Sequence, residues 1–244
     1  METLGLPPCP LIIQKTRMKK PILVFDLDGT FAHTAPDLLD SLNHCLSTID
    51  LPSVDPKDLM RFVGHGGKVM IERALTARGR TIDAASLDRM MAAFLDHYVD
   101  NMPGKTAPYP GVLDAMARFT DAGYIHAICT NKYEGMSKTL LNGLALSDRF
   151  AVICGQDTFA WKKPDPRHLL ETINAAGGNR DHGVMIGDSV TDIDTAKAAG
   201  IPVIAVDFGY SDRPVAEFEP SHIISHFDEL TLPLVERLLA RTQG

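Results

Sequence analysis

Five short apolar runs, at residues 22–25, 125–129, 151–154, 184–186 and 203–206, constrain the fold of this chain more than any other feature. Most are rich in β-branched residues and show little polar alternation, the pattern of strands covered on both faces. Segments of helical spacing separate them. Val112, Met116 and Phe119 precede the second run, Leu169, Leu170 and Ile173 the fourth, and Ile193, Ala196 and Ala199 the fifth. Gly123, the Gly177-Gly178 pair and Gly200 ahead of Pro202 stand where those helices should stop. Strands alternating with helices predict an α/β fold, a parallel sheet between two helical layers.

The interval from 36 to 105 differs, because it has helical periodicity and no strand-like run. Leu38, Leu42, Cys45, Leu46 and Ile49 form one apolar stripe, and Leu87, Met90, Met91, Phe94, Leu95 and Tyr98 a second. This predicts a helical lobe at 36–106, inserted into a core made of 21–35 and 107–244. Its exit, through Met102-Pro103-Gly104 and Tyr109-Pro110-Gly111, has the Pro and Gly density of a hinge.

At 244 residues, with 45% hydrophobic and 23% charged side chains, the composition excludes disorder and permits a large core. Thirty-one acidic residues against 24 basic give a net charge of −7, and no basic run exceeds a pair such as Lys19-Lys20, so nucleic acid is not an expected partner. No segment is apolar for long enough to span a membrane. Cys9, Cys45, Cys129 and Cys154 lack Cys-x-x-Cys spacing, and two of them fall in strand-like runs, which fits a reducing cytoplasm. The apolar patch at 11–13 is too brief for a signal peptide, and residues 1–20 are expected to form a leader outside the folded unit. Nothing in the sequence fixes an oligomeric state.

In a parallel α/β sheet the residues just past the strand ends gather along one edge, where such folds place ligands. After the first run come Asp26 and Asp28, on one side if the extended conformation persists. After the second come Thr130, Asn131 and Lys132, a hydroxyl, an amide and backbone N–H groups suited to an anion. After the fourth comes Asp188, with Asp192 one helical turn beyond, and Lys163 precedes the helix between the third and fourth runs. Three carboxylates in one crevice repel each other unless a cation sits among them. Oxygen ligands select a hard ion, most simply Mg²⁺, which keeps room for water and a phosphate oxygen. The constellation points to phosphoryl chemistry.

These segments, Asp26-Leu27-Asp28-Gly29-Thr30, Thr130-Asn131, Lys163-Pro164 and Gly187-Asp188-Ser189 with Asp192, follow the motif order of the haloacid dehalogenase superfamily. From Pro21 onward the chain resembles its aspartate-nucleophile phosphohydrolases. The resemblance implies a Rossmann-like core of strand order 5-4-1-2-3, the nucleophile on the central strand, and a helical cap inserted after the first motif. Within the superfamily, Thr34-Ala35-Pro36-Asp37-Leu38, Arg61-Phe62-Val63-Gly64-His65-Gly66, Tyr109-Pro110-Gly111-Val112 and Thr130-Asn131-Lys132 are similar to the phosphoglycolate phosphatases. His33 departs from them, since that family more often carries an acidic residue at this place near the hinge.

By this resemblance Asp26 is the nucleophile that forms an aspartyl-phosphate, while Asp28 protonates the leaving oxygen and then takes a proton from water. Asp26, Asp188 and the backbone carbonyl of Asp28 would hold Mg²⁺, and Asp192 would orient that set through hydrogen bonds. Lys163, Thr130 and the Asn131 N–H would bind the transferring phosphoryl group. The implied substrate is a small phosphorylated metabolite, 2-phosphoglycolate first, enclosed by the cap. Another small organophosphate, or a sugar phosphate undergoing mutase chemistry, would use the same Asp pair. Asp28 argues against the dehalogenase and phosphonate-hydrolase branches. A non-catalytic phosphate-binding module would have little use for Asp26, Asp28, Lys163 and Asp188 together.

Simpler roles stand beside these. Asp28 could cap the turn before Gly29, and Asp192 could be a first-turn acid favoured by the helix dipole. Lys162 rivals Lys163, although Pro164 favours the latter. Gly64-His65-Gly66-Gly67-Lys68 fails as a nucleotide loop, because Phe62 and Val69 replace the required Gly and Ser/Thr. It reads better as a cap loop, with Arg61 and His65 as candidate substrate contacts. His222 and His226 lack the Glu of a zinc-protease helix and are expected to be structural.

Overall fold

The computed structural model describes residues 19–63 and 66–242, without the side chains of Met60, Arg61 and Thr242. The expected leader as far as residue 18, the loop residues Gly64 and His65, and the Arg61 side chain lie outside the described residues. In chain order the elements are β1 (Lys20–Phe25), β2 (Ala32–His33), α1 (Ala35–Ser47), α2 (Gly67–Thr76), α3 (Ala84–Asn101), β3 (Ala107–Pro108), α4 (Val112–Asp121), β4 (Ile125–Cys129), α5 (Glu134–Gly143), β5 (Val152–Cys154), α6 (Pro166–Ala175), β6 (Gly178–Gly187), α7 (Val190–Ala199), β7 (Val203–Val206), β8 (His222–Ile224) and α8 (Leu232–Thr242).

Six strands pair in the order β5-β4-β1-β6-β7-β8, every pairing parallel. Counting only the five apolar runs, this is the order 5-4-1-2-3, with β8 added at one edge. Period-two alternation along β1 sends its side chains to opposite layers. Leu23 and Phe25 enter a cluster with Val112, Met116 and Phe119 of α4, Leu140 and Leu141 of α5 and Val235 of α8. Ile22 and Val24 enter another with Leu169 and Ile173 of α6 and Ile193 and Ala196 of α7. Each large apolar side chain enclosed in this way contributes about 1.5–3 kcal/mol. The fourth strand is longer than the 184–186 run, because it begins at Gly178, with a shift of register against β1 between Lys20 and Ile22. Its first half, Asn179-Arg180-Asp181-His182, is polar, so an apolar-run reading misses it.

Helices α1, α2 and α3 pack around a second core that includes Leu39, Leu42, Leu46, Met70, Ile71, Met90 and Phe94. Ile49 departs from its expected stripe: α1 stops at Ser47, which leaves Ile49 39% exposed. The two connections to these helices run side by side, Ala32 pairing with Pro108 and His33 with Ala107. Asp37, in the first turn of α1, fastens them. Its carboxylate accepts hydrogen bonds from Lys105 N at 2.7 Å, Thr106 N at 3.1 Å and Thr106 Oγ1 at 2.6 Å. Each lobe also lends the other a tyrosine. Tyr98 of α3 is buried in the sheet-side cluster, and Tyr210, beyond β7, in the helical one. No helix among the described residues is long and apolar enough to cross a membrane.

Candidate active site

The segments after β1, β4 and β6 meet at the carboxyl edge of the sheet, joined by the loop before α6. Strand β1 ends at Phe25, so the extended conformation does not reach Asp28. Phe31 N and Ala32 N both donate to Leu27 O, and Gly29 N to Ala32 O, folding residues 27–32 into a turn. Gly29 has φ +83°, and a Cβ there would stand 2.5 Å from Asp188 Oδ2, so the turn needs glycine for its backbone and for its neighbour. The two aspartates consequently part: Asp26 pairs with Lys163 and Asp28 with Lys132.

Lys163 is buried, with Nζ 2.9 Å from Asp26 Oδ1 and 2.5 Å from Asp192 Oδ1. Its backbone carbonyl accepts a hydrogen bond from Asn131 Nδ2 at 2.9 Å. Burial disfavours the charged lysine, but Asp192 and Asp26 outweigh it and hold the ammonium above its usual range. Among the described residues the neighbouring Lys162 has no such pairing. Asp192 Oδ2 accepts from Ser189 Oγ at 2.6 Å and from Ser189 N at 3.2 Å, closing the capping box of α7. Asp192 thus caps a helix with one oxygen and binds Lys163 with the other.

Asp188 accepts a hydrogen bond from Thr30 Oγ1 at 2.8 Å and from Tyr210 N at 2.6 Å. Carboxylate oxygens of Asp26, Asp188 and Asp192 lie within 4.8 Å of one another. Burial, only partly offset by Lys163, pushes the Asp26 carboxyl up to about 6, with Asp192 and Asp28 adding to the rise. Burial, Asp192 and Asp26 push Asp188 up to about 8 against the bonds from Tyr210 and Thr30. Asp26 Oδ1 is buried and, apart from the ion pair with Lys163, accepts no hydrogen bond among the described residues. A buried, crowded set of carboxylates, one oxygen of which meets only the Lys163 ammonium among the described residues, fits a hard divalent cation. The Asp28 side chain is outside this trio.

Thr130 is buried; its N–H donates to Cys154 O at 3.0 Å, and its Oγ1 accepts from Lys132 N at 3.2 Å. Lys132 Nζ lies 3.1 and 3.2 Å from the two Asp28 oxygens and donates to Tyr98 Oη at 3.0 Å. Burial opposes its charge, yet Asp28 and Tyr98 hold the ammonium above its usual range. All seven residues named from the sequence, Asp26, Asp28, Thr130, Asn131, Lys163, Asp188 and Asp192, thus lie at one edge, Asp28 joined to it through Lys132.

Sequence reasoning placed Lys132 in an anion-binding turn but missed its hold on Asp28, which depends on where the first turn folds. It missed Tyr98, read as one more member of an apolar stripe, and Tyr210, which has no motif around it. Tyr210 also joins the hinge, where its Oη accepts from Ala35 N at 2.8 Å and lies 3.2 Å from His33 Nδ1. His226 caps the turn at 227–229, its Nδ1 accepting from Asp228 N.

The family model described as Haloacid dehalogenase-like hydrolase matches residues 23–206. The chain is 64% identical over 222 residues to a phosphoglycolate phosphatase of Mesorhizobium japonicum, covering 91% of this chain and 98% of that one. It is 43% identical to a phosphoglycolate phosphatase of Agrobacterium fabrum, over 93% of this chain and 97% of the other. The crystal structure of a predicted phosphoglycolate phosphatase from Haemophilus somnus superposes with a TM-score of 0.78 at 26% identity, over 86% of this chain and 96% of that one.

Proposed function

The chain belongs to the haloacid dehalogenase-like hydrolases, and from that premise we infer that it is a Mg²⁺-dependent phosphomonoesterase that converts 2-phosphoglycolate to glycolate and phosphate. One observation carries the reading. The buried Lys163 ammonium is shared between Asp26 and Asp192, and beyond that ion pair Asp26 Oδ1 accepts nothing among the described residues. An ionised oxygen with a lone pair to spare beside a fixed cation is arranged to attack phosphorus. The names of the Mesorhizobium and Agrobacterium relatives support 2-phosphoglycolate over other small phosphorylated metabolites.

Asp26 attacks in line and becomes an aspartyl-phosphate; Asp28 gives a proton to the leaving oxygen and takes one from the water of the second step. Lys163 balances the charge that Asp26 and the transferring group share, and the Thr130 hydroxyl and Asn131 N–H hold the phosphoryl oxygens. Asp26, Asp188 and the backbone carbonyl of Asp28 would hold Mg²⁺, which supplies neutralising charge for those oxygens when bound. Asp192 keeps Lys163 in place. Residues 36–106 act as the cap that shuts out water. The buried free thiols of Cys45, Cys129 and Cys154 support a cytoplasmic setting.

The test is phosphate release from 2-phosphoglycolate with Mg²⁺ and with chelator, in the wild type and in Asp26→Asn. The wild type should require the ion, and Asp26→Asn should fold and not turn over. An active Asp26→Asn enzyme removes the nucleophile assignment.

A further inference from the structure

Two buried lysines face the catalytic edge, and they are used differently. Lys163 stands between two carboxylates, Asp26 and Asp192. Lys132, 6% exposed, has one carboxylate partner among the described residues, Asp28. Its other contact is Tyr98 Oη, delivered from α3 across the boundary between the lobes, with the tyrosine ring face 4.4 Å from Nζ. Tyr98 is 1% exposed, and its hydroxyl, having accepted a bond from an ammonium, still has a proton to place. No acceptor for that proton exists among the described residues.

Asp28 must carry a proton to serve the leaving oxygen, and the Lys132 ammonium then has no anion facing it among the described residues. That ammonium and the buried O–H, which has no acceptor among them, are together complementary to a second anion. They stand beside Asp28, the residue that serves the leaving oxygen. A carboxylate on the carbon that bears this oxygen comes to the same place. We propose that Lys132 and Tyr98 receive the substrate's carboxylate and thereby select a phosphorylated 2-hydroxy acid over a neutral phosphoester. This rests on the phosphomonoesterase reading and specifies the organic half of its substrate. Because Lys132 lies in the loop after β4 and Tyr98 in α3, the carboxylate is read by both lobes at once, and a substrate without it forgoes that link.

The experiment compares kcat/KM for 2-phosphoglycolate with that for ethyl phosphate, which carries a methyl group in place of the carboxylate. The wild type should prefer 2-phosphoglycolate. Tyr98→Phe keeps the ring and removes the hydroxyl, and should lower the ratio of the two constants roughly 10-fold or more, the loss of one hydrogen bond to a charged group. Lys132→Gln should lower the ratio further, and it carries the test if the melting curve shows Tyr98→Phe to be unfolded. A ratio unchanged in both variants overturns the proposal. Equal use of the two substrates by the wild type overturns it too, leaving the phosphomonoesterase reading intact. Phosphate release from neither substrate with Mg²⁺ removes both.

Discussion

Lys163 Nζ lies 2.5 Å from Asp192 Oδ1, and both side chains are closed off from solvent. Such a pair is held together by what its separation would leave behind, an ion in a medium that solvates it poorly. Asp192 is therefore the anchor from which Lys163 reaches Asp26.

Asp192→Asn should destabilise the protein by about 3 kcal/mol or more, because it leaves Lys163 with Asp26 as its single anion and weakens the capping box of α7. Activity should fall about 10- to 100-fold as the groups around the cation lose their orientation. Urea denaturation and steady-state kinetics measure the two effects. A variant as stable as the wild type would mean that the Lys163–Asp192 pair is solvated.

Asp26 and Asp188 release their protons at about 6 and about 8 in the folded chain, against 3.8 for a free carboxyl. The folded state then binds more protons than the unfolded one, so these groups favour folding below the free value and lose that contribution as pH rises through the folded values. The melting temperature of metal-free protein should fall between about pH 5 and pH 8 on their account. Mg²⁺ takes the place of the protons, so the rise in Tm that it produces should be larger at about pH 8 than at about pH 5. An equal rise at both would show that these carboxylates do not hold the ion.

His168, with no solvent exposure, titrates near 4 instead of 6.5, because burial and then the charge of Lys163 disfavour its cation. Here the unfolded chain binds the extra proton. The stability is complete above 6.5 and is lost as pH falls towards 4, by at most about 1.4 kcal/mol per pH unit. Replacement by leucine should make the acid limb of the stability curve shallower by that amount. Urea midpoints across this window decide it, and an unchanged slope would place the imidazole in contact with water.

Asp37→Ala would strip acceptors from two backbone N–H groups and the Thr106 hydroxyl. The expected cost is on the order of 3 kcal/mol, and Asp37→Asn, which keeps one acceptor oxygen, should fall between. Limited proteolysis should cut near residues 101–105 sooner in the alanine variant. Resistance equal to the wild type would assign the fastening of the hinge to other contacts.

The parallel sheet and the convergence of Asp26, Thr130 and Asp188 were legible because each depends on a local pattern, an apolar run followed by polar residues at its carboxyl end, whereas the order 5-4-1-2-3 was implied by the family resemblance. The first half of β6 was not legible, since Asn179 to His182 fall in the register shift between Gly178 and Gly183 and their side chains carry no apolar signal. The period-two argument for Asp28 failed where the backbone turned at Leu27. Tyr98 and Tyr210 were illegible for a different reason: each is buried against the lobe it does not belong to, a relationship fixed only when the two lobes meet.

The ribbon formed by Ala32, His33, Ala107 and Pro108 brings the chain back to within one strand spacing of where it left the sheet. Anything threaded between those points leaves the strands beneath it undisturbed, so the helical insert can be exchanged for another of different length or shape while the phosphoryl chemistry persists. A replacement must answer at two places, supplying a partner for Lys132 where Tyr98 now stands and a seat for Tyr210. New substrates can in this way be acquired by recombination of whole segments, with the hydrolytic machinery inherited intact.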